Sequence, residues 1–168
     1  PKNRKPIKTI VEPWSDNHVI EAITEEIKQG GQVFYVFNNI TQIEQKAEKL
    51  KTLIPNLKIE IAHGQHHESH IKKTIENFIN HKFNCLLSTT LIENGIDIPN
   101  ANTLIIDGVE TMGLSQIHQL RGRVGRSEKQ AYAYLLYSPA KELNKTAQQR
   151  LNAITEYISL GSGYDIAL

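Results

Sequence analysis

Cysteine is nearly missing from these 168 residues: Cys85 is the only one, set in the apolar run Phe83-Asn84-Cys85-Leu86-Leu87. A lone thiol excludes a disulfide framework, fits a reducing cytosol and is expected as a packed core residue. Charge of one sign is also lacking. Nineteen Lys and Arg stand against eighteen Asp and Glu, a formal net charge of +1, so any face for nucleic acid has to be local. No run approaches the roughly 18 apolar residues of a membrane span. The basic start Pro1-Lys2-Asn3-Arg4-Lys5 is not followed by an apolar stretch of signal-peptide length. A soluble cytoplasmic protein, with no membrane partner, is the expectation. Repeats, low-complexity tracts and obvious linkers are absent. So is G-x-x-x-x-G-K-[ST], whose backbone cradles nucleotide phosphates, and with it the D-E pair that holds magnesium.

What is present is alternation. Lys8-Thr9-Ile10-Val11 reads as a short strand, and Ser15 or Asp16 as the cap of a helix with Ile20, Ile23 and Ile27 on one face, stopped by Gly30-Gly31. Val33 to Phe37 is a continuous β-branched and aromatic run, the pattern of a parallel strand covered on both faces. Thr41-Gln42-Ile43-Glu44 has capping-box spacing and opens a helix through Ala47 and Leu50 to Leu53. Ile59 to Ala62 is the next strand, followed by the loop His63-Gly64-Gln65 and a helix with Ile71, Ile75, Phe78 and Ile79 inward. Cys85 to Ser88, Thr103 to Asp107 and Ala131 to Leu136 are further strands, with a helix from about Leu114 to Leu120 before the last. Strand and helix in turn predict an α/β, three-layer domain around a mostly parallel sheet, with functional loops beyond the carboxyl ends of the strands. The length suits one such domain, residues 1–137, burying roughly two-thirds of its unfolded surface. After Pro139, Ala147, Leu151, Ile154 and Ile158 make a helical stripe that no later strand uses. Residues 138–168 are therefore read as a helical appendage. The chain begins without Met and ends at Asp165-Ile166-Ala167-Leu168, which reads as a piece of a longer chain.

Two stretches carry chemistry. Gln119-Leu120-Arg121-Gly122-Arg123-Val124-Gly125-Arg126 puts three arginines and two glycines on one short turn. A guanidinium offers five donors in a fixed planar fork and stays charged, so converging arginines suit phosphate oxygens, and glycine lets the backbone come close. An Arg-rich solvated loop would look the same in isolation. The second stretch is Ser88-Thr89-Thr90-Leu91-Ile92-Glu93-Asn94-Gly95-Ile96-Asp97-Ile98-Pro99, which follows an apolar run. Gly95 fits a tight approach to a nucleotide, and Asp97 can accept from a ribose hydroxyl or orient a neighbouring arginine. Thr89 and Thr90 offer hydroxyls to a nucleic-acid phosphate. Ordinary turn chemistry at Asp97-Ile98-Pro99 is the structural alternative. Both stretches are expected at neighbouring loop ends of one sheet.

In order and spacing these stretches resemble the sixth and fifth motifs of superfamily-two helicases and translocases. With Gly31-Gln32-Val33-Phe34-Tyr35-Val36-Phe37-Asn38-Asn39, His63-Gly64-Gln65 and Gly113-Leu114-Ser115-Gln116-Ile117-His118-Gln119-Leu120 added, nearly the whole chain looks most like the bacterial transcription-repair coupling factors. Branch-migrating recombination helicases share the G-L-x-Q-x-H-Q-L-R-G-R-V-G-R run, and the excision-repair helicase subunit is a more distant likeness. The resemblance implies the second RecA-like domain of an ATP-driven double-stranded DNA translocase, with the start of its translocation hairpin. Arg123 and Arg126 would reach the β- and γ-phosphates of ATP held by a partner domain, as arginine fingers do. Gln119 would sense the γ-phosphate or its attacking water. ATP and Mg²⁺ would be bound mainly by the first RecA-like domain, which would supply the phosphate loop, so this half alone is expected to be inactive and monomeric. The intact protein would displace stalled RNA polymerase and recruit excision-repair proteins through other domains. A non-catalytic interaction module that keeps the fold is the reading from another class, and intact Gln119, Arg123 and Arg126 argue against it.

Asn38, His63, Gly64 and Gln65 follow strands and form a row of donors for a DNA phosphate backbone, positioning without reading sequence. Asn38-Asn39 would equally serve as a helix N-terminus. His66, His67 and His70 depart from the superfamily pattern, in which a bulky apolar residue and an arginine are common, and this puts one phosphate contact in doubt. The spacing of His63, His66, His67 and His70 invites a zinc reading, but no cysteine is near and Gly64 interrupts the helix start. The expectation is no metal.

Overall fold

The computed structural model describes residues 6–90, 101–125, 128–139 and 142–161. In chain order the elements are β1 (Lys8–Pro13), α1 (Asp16–Lys28), β2 (Gln32–Phe37), α2 (Ile43–Leu53), β3 (Ile59–Ala62), α3 (Glu68–Ile79), β4 (Cys85–Ser88), β5 (Ala101–Asp107), α4 (Leu114–Arg121), β6 (Tyr132–Tyr137) and α5 (Lys145–Gly161), with a short 3-10 turn at Val109–Thr111. The strands form one sheet in the order β1-β6-β5-β2-β4-β3, and every neighbouring pair is parallel. This is the α/β three-layer architecture of RecA-like helicase C-terminal domains.

The apolar runs explain the layering. Successive side chains of a strand point to opposite faces, so an all-apolar strand needs cover on both. On one face Val33, Tyr35, Leu87 and Ile105 meet Val19 and Ile23 of α1 and Ile43, Ala47 and Leu50 of α2. On the other, Phe34, Val36, Leu86, Leu104 and Ile106 meet Ile75 and Phe78 of α3, Ile117 and Leu120 of α4, and Leu151, Ile154 and Ile158 of α5. Each such fully buried aliphatic or aromatic side chain contributes about 1.5–3 kcal/mol. The stripe read after Pro139 thus joins the same core as the sheet.

Several local expectations are corrected. The inward face of α1 is Val19, Ala22, Ile23 and Glu26, with Ile20 and Ile27 only partly buried at its flanks. Glu26 is tolerated because its carboxylate accepts from Thr103 Oγ1 at 2.5 Å, and burial raises its pKa. No capping box opens α2: its first turn lacks a side-chain cap from Gln42, and Asn39 Oδ1 instead accepts from Gln42 N at 3.1 Å and from Thr41 Oγ1 at 2.8 Å. The asparagine can follow its own side chain into a turn, which takes the task from Thr41. On α3, Ile79 is 37 % exposed while Thr74 is buried, because the helix ends as the chain turns away at Asn80. The Ser15 cap on α1 forms as expected, accepting from His18 N at 3.1 Å, and Cys85 is fully buried. Among the described residues no helix is long and apolar enough to cross a membrane.

Candidate functional site

Because all the pairings are parallel, the carboxyl ends of the strands share one edge. Asn38 follows β2, His63 follows β3, and Thr89 and Thr90 follow β4. Thr90 Oγ1 and Asn38 Oδ1 are 3.3 Å apart, joining two of these ends. Asn38, Gly64 and Gln65 are exposed and His63 is half-buried. Thr89 is different: it is 5 % exposed, and its hydroxyl has no hydrogen-bond partner among the described residues. The edge therefore assembles Asn38, His63, Gly64, Gln65 and Thr90 as accessible polar groups, with Thr89 beneath them.

The turn from His63 to Ser69 is held by imidazoles. His66 Nδ1 accepts from His63 N at 3.3 Å, His63 Nδ1 from Gln65 N at 3.1 Å, and His67 Nδ1 from Ser69 N at 3.2 Å as the N-cap of α3. The His63 and His66 rings stack with centroids 3.7 Å apart, and His70 meets His66 edge-on at 4.4 Å. Burial, then the neighbouring His63 and His70, lower the pKa of His66, with Glu44 pulling the other way. Among the described residues no set of three or more His, Cys, Asp or Glu is arranged to hold a metal ion.

The arginine stretch lies away from Asn38, His63 and Thr90, and its expected neighbour, the stretch through Gly95 and Asp97, falls outside the described residues. α4 starts after the carboxyl end of β5 and runs back along the α3–α5 face, anchored by Ile117 and Leu120. Gln119 is exposed on it, Arg121 is only 3 % exposed, and Arg123 just beyond it is half-buried. Val124 is buried, and Gly125 N donates to the carbonyl of Ala101, the first residue of β5, at 3.0 Å. Gly125 thus sits at the amino edge of the sheet. The physical reason is the helix itself: eight residues at about 1.5 Å rise carry the chain from one edge toward the other. Gly125 has φ +73, and a Cβ there would lie 2.7 Å from Ala131 Cβ. Gly95, Asp97 and Arg126 lie outside the described residues.

Two features escaped the sequence. Tyr35, fully buried in β2, donates to Asp107 Oδ2 at 2.6 Å and accepts from Trp14 Nε1 at 3.0 Å. Lys46 pairs with the same Asp107 oxygen at 2.9 Å and lies 4.5 Å over the Trp14 ring and 4.8 Å over Phe37. Burial and the Asp107 charge hold the Tyr35 pKa well above its ordinary value, so it remains a donor. This network ties the ends of β2 and β5 to α2. A charged residue closing the apolar run at Asp107 was the only available signal. The second feature links α5 to α4, where Tyr157 Oη and His118 Nδ1 are 3.3 Å apart.

A cavity of about 570 Å³ opens between α1 and the β1–β6 edge, lined by Glu12, Glu21, Glu25, His18 and Tyr134. It is unsuited to phosphate, since its carboxylates repel anions. Those same charges, after burial, push the Tyr134 pKa up to about 12.

Residues 16–128 match the family described as the helicase conserved C-terminal domain. The whole chain is 48% identical to a transcription-repair-coupling factor of Staphylococcus epidermidis and 46% identical to that of Staphylococcus aureus, spanning 14% of the length of each. Among solved structures, RecG bound to a three-way DNA junction superposes over 92% of this chain and 21% of its own, with a TM-score of 0.77 and 35% identity. The C-terminal domain of the DEAD-box protein Dbp5 matches over 97% of this chain and 89% of its own, with a TM-score of 0.67 and 18% identity, a likeness of fold. With two-thirds of its length matched by that family and its Gln119–Gly125 helix and turn placed against the sheet, the chain belongs to the helicase conserved C-terminal domain family.

Proposed function

We propose that this chain is the second RecA-like half, with the start of the translocation hairpin at residues 138–168, of an ATP-driven double-stranded DNA translocase acting in transcription-coupled repair. The observation that carries the reading is 48% identity to a transcription-repair-coupling factor over all 168 residues. In the intact cytoplasmic protein a first RecA-like domain holds ATP and Mg²⁺, and other domains engage RNA polymerase and excision-repair proteins. Arg123 and Arg126 reach the β- and γ-phosphates across the cleft, Gln119 senses the γ-phosphate or its water, and Gly95 and Asp97 line the nucleotide. Mg²⁺ held in that first domain would supply charge neutralisation at the phosphates. Asn38, His63, Gly64, Gln65 and Thr90 contact the DNA backbone, with Thr89 beneath them. A branch-migrating recombination helicase is the second reading, favoured by the 35% identity to RecG.

The test is DNA-stimulated ATP turnover by the intact protein, compared with this chain alone. The isolated chain is expected to be a monomer that neither hydrolyses ATP nor binds it at micromolar concentration by calorimetry. Its duplex binding is expected to be weak, sequence-independent and steeply salt-sensitive, because the contacts are to phosphates. Tight nucleotide binding by the chain alone, or a strong preference for one base sequence, would remove the reading.

A second expected result concerns Gly95. Gly95→Val in the intact protein should impair ATP turnover more than it lowers the melting temperature, if the glycine is there for close approach to nucleotide. A collapse in melting temperature with turnover per folded molecule preserved would assign it to the turn instead.

A further inference from the structure

Three imidazole nitrogens accept backbone N–H bonds within seven residues, from His63 to Ser69. An imidazole can accept at Nδ1 only while that nitrogen carries no proton; a protonated ring has hydrogens on both nitrogens and only donates. The turn is therefore drawn for neutral rings. Two of its exposed members, Gly64 and Gln65, lie between the first two of these bonds, so their backbone positions depend directly on them.

We propose that His63 and His66, joined by His67 at the start of α3, are positioning residues: as neutral imidazoles they fasten the turn that presents Gly64 and Gln65 to a nucleic-acid phosphate backbone, and protonation unfastens it. The proposal rests on the nucleic-acid reading of this edge. It reverses the ordinary expectation for histidine beside DNA, where added positive charge strengthens phosphate binding.

The surroundings favour the neutral state. His63 stacks on His66 at 3.7 Å and His70 of α3 meets it at 4.4 Å, so a second positive charge in the group is opposed by the first. Among the described residues, the charged group facing it from α2 is Glu44, which favours a cation at His66. The direction follows from linkage. A histidine whose folded pKa is lowered contributes stability that is fully present above its unfolded value, about 6.5. That contribution is lost as pH falls through the unfolded and then the folded pKa. Fastening is thus complete at pH 7.5 and is lost only as the pH falls below about 6.5 and through the lowered folded pKa of His66.

Asparagine supplies the controlling variant, because its Oδ1 occupies the place of Nδ1 and accepts without titrating. The experiment measures affinity of the intact protein for a 30-base-pair duplex at pH 7.5 and pH 5.5 at fixed ionic strength. It pairs this with the amide shifts of His63 and Gln65 across the same range without DNA. In the unaltered protein the two amides should shift as the rings titrate and duplex affinity should fall by at least threefold. His66→Asn should keep its pH 7.5 affinity within twofold and lose at least half of the pH response. His66→Gln, whose polar atoms sit at the wrong reach, should bind weakly at both pH values. Affinity that rises on acidification, with the rise abolished in His66→Asn, would overturn the proposal and make these rings simple cations. Amides that stay fixed while the rings titrate would overturn it without touching the DNA reading. Amides that shift as expected while duplex affinity is unchanged in every variant would overturn it at the DNA step, taking the assignment of this edge with it.

Discussion

Replacing Arg123 by Ala in the intact protein is expected to lower kcat by a factor on the order of 10³ to 10⁵, roughly 4 to 7 kcal/mol of transition-state stabilisation. The magnitude follows from the proposed role. A guanidinium inserted between two motor domains meets charge that grows on the transferring phosphoryl group, so its contribution is to turnover and not to the ground state. The fold should survive. Arg123 is half-buried on the turn after α4, outside the buried side chains of the core, so its replacement should cost far less in stability than in turnover. An unchanged melting curve beside a collapsed kcat is the expected signature. Arg123→Lys should remain strongly impaired, since a point charge on a flexible stem cannot reproduce the bidentate fork. Near-normal DNA-stimulated turnover in Arg123→Ala would remove the basis of the functional assignment.

Gly125→Ala is expected to act in the opposite way, on stability first. Gly125 combines φ +73 with a position where a Cβ would meet Ala131 Cβ at 2.7 Å. The left-handed conformation costs a residue with a Cβ about 1–2 kcal/mol, and forcing atoms into a filled site costs about 1–3 more. A loss of roughly 2–5 kcal/mol corresponds to a fall in Tm of about 4–20 °C for a domain of this size. Gly30→Ala is the internal control, because Gly30 has a similar φ of +79 but nothing within 4 Å of a Cβ. It should lose only the conformational part. Adding Ala131→Gly to Gly125→Ala should recover the packing part and leave the conformational part. Equal losses at Gly30 and Gly125 would show that close approach at the amino edge is not what the glycine provides.

Layering and strand number were legible in the sequence because apolar runs such as Val33 to Phe37 and Thr103 to Asp107 leave a strand no solvent face. Strand order was not, since β1 pairs with β6 across almost the whole chain and no local signal reports that. The carboxyl-edge residues were found by the rule that loops after parallel strands share an edge, and Asn38, His63 and Thr90 do so. The arginine stretch is carried by α4 away from that edge, a consequence of helix length and not of residue type. The histidines drew attention as possible metal ligands through their spacing. Their actual partners are backbone N–H groups two or three residues away, and side-chain-to-backbone bonds within a turn leave almost no trace in periodicity.

The pairing of Lys8 with Tyr132 also sets a clock. At ribosomal speeds of about 5–20 residues per second, the segment that becomes β1 waits roughly 6 to 25 s before its partner has been made. Until then the facing edge of β5 is open as well, because β6 lies between the two. Closing so wide a loop is thermodynamically mild, each doubling of length adding only about 0.6 kcal/mol, but non-local parallel pairing is slow. A chain halted before Tyr132 would therefore carry two unsatisfied strand edges at once, the condition under which nascent chains recruit each other.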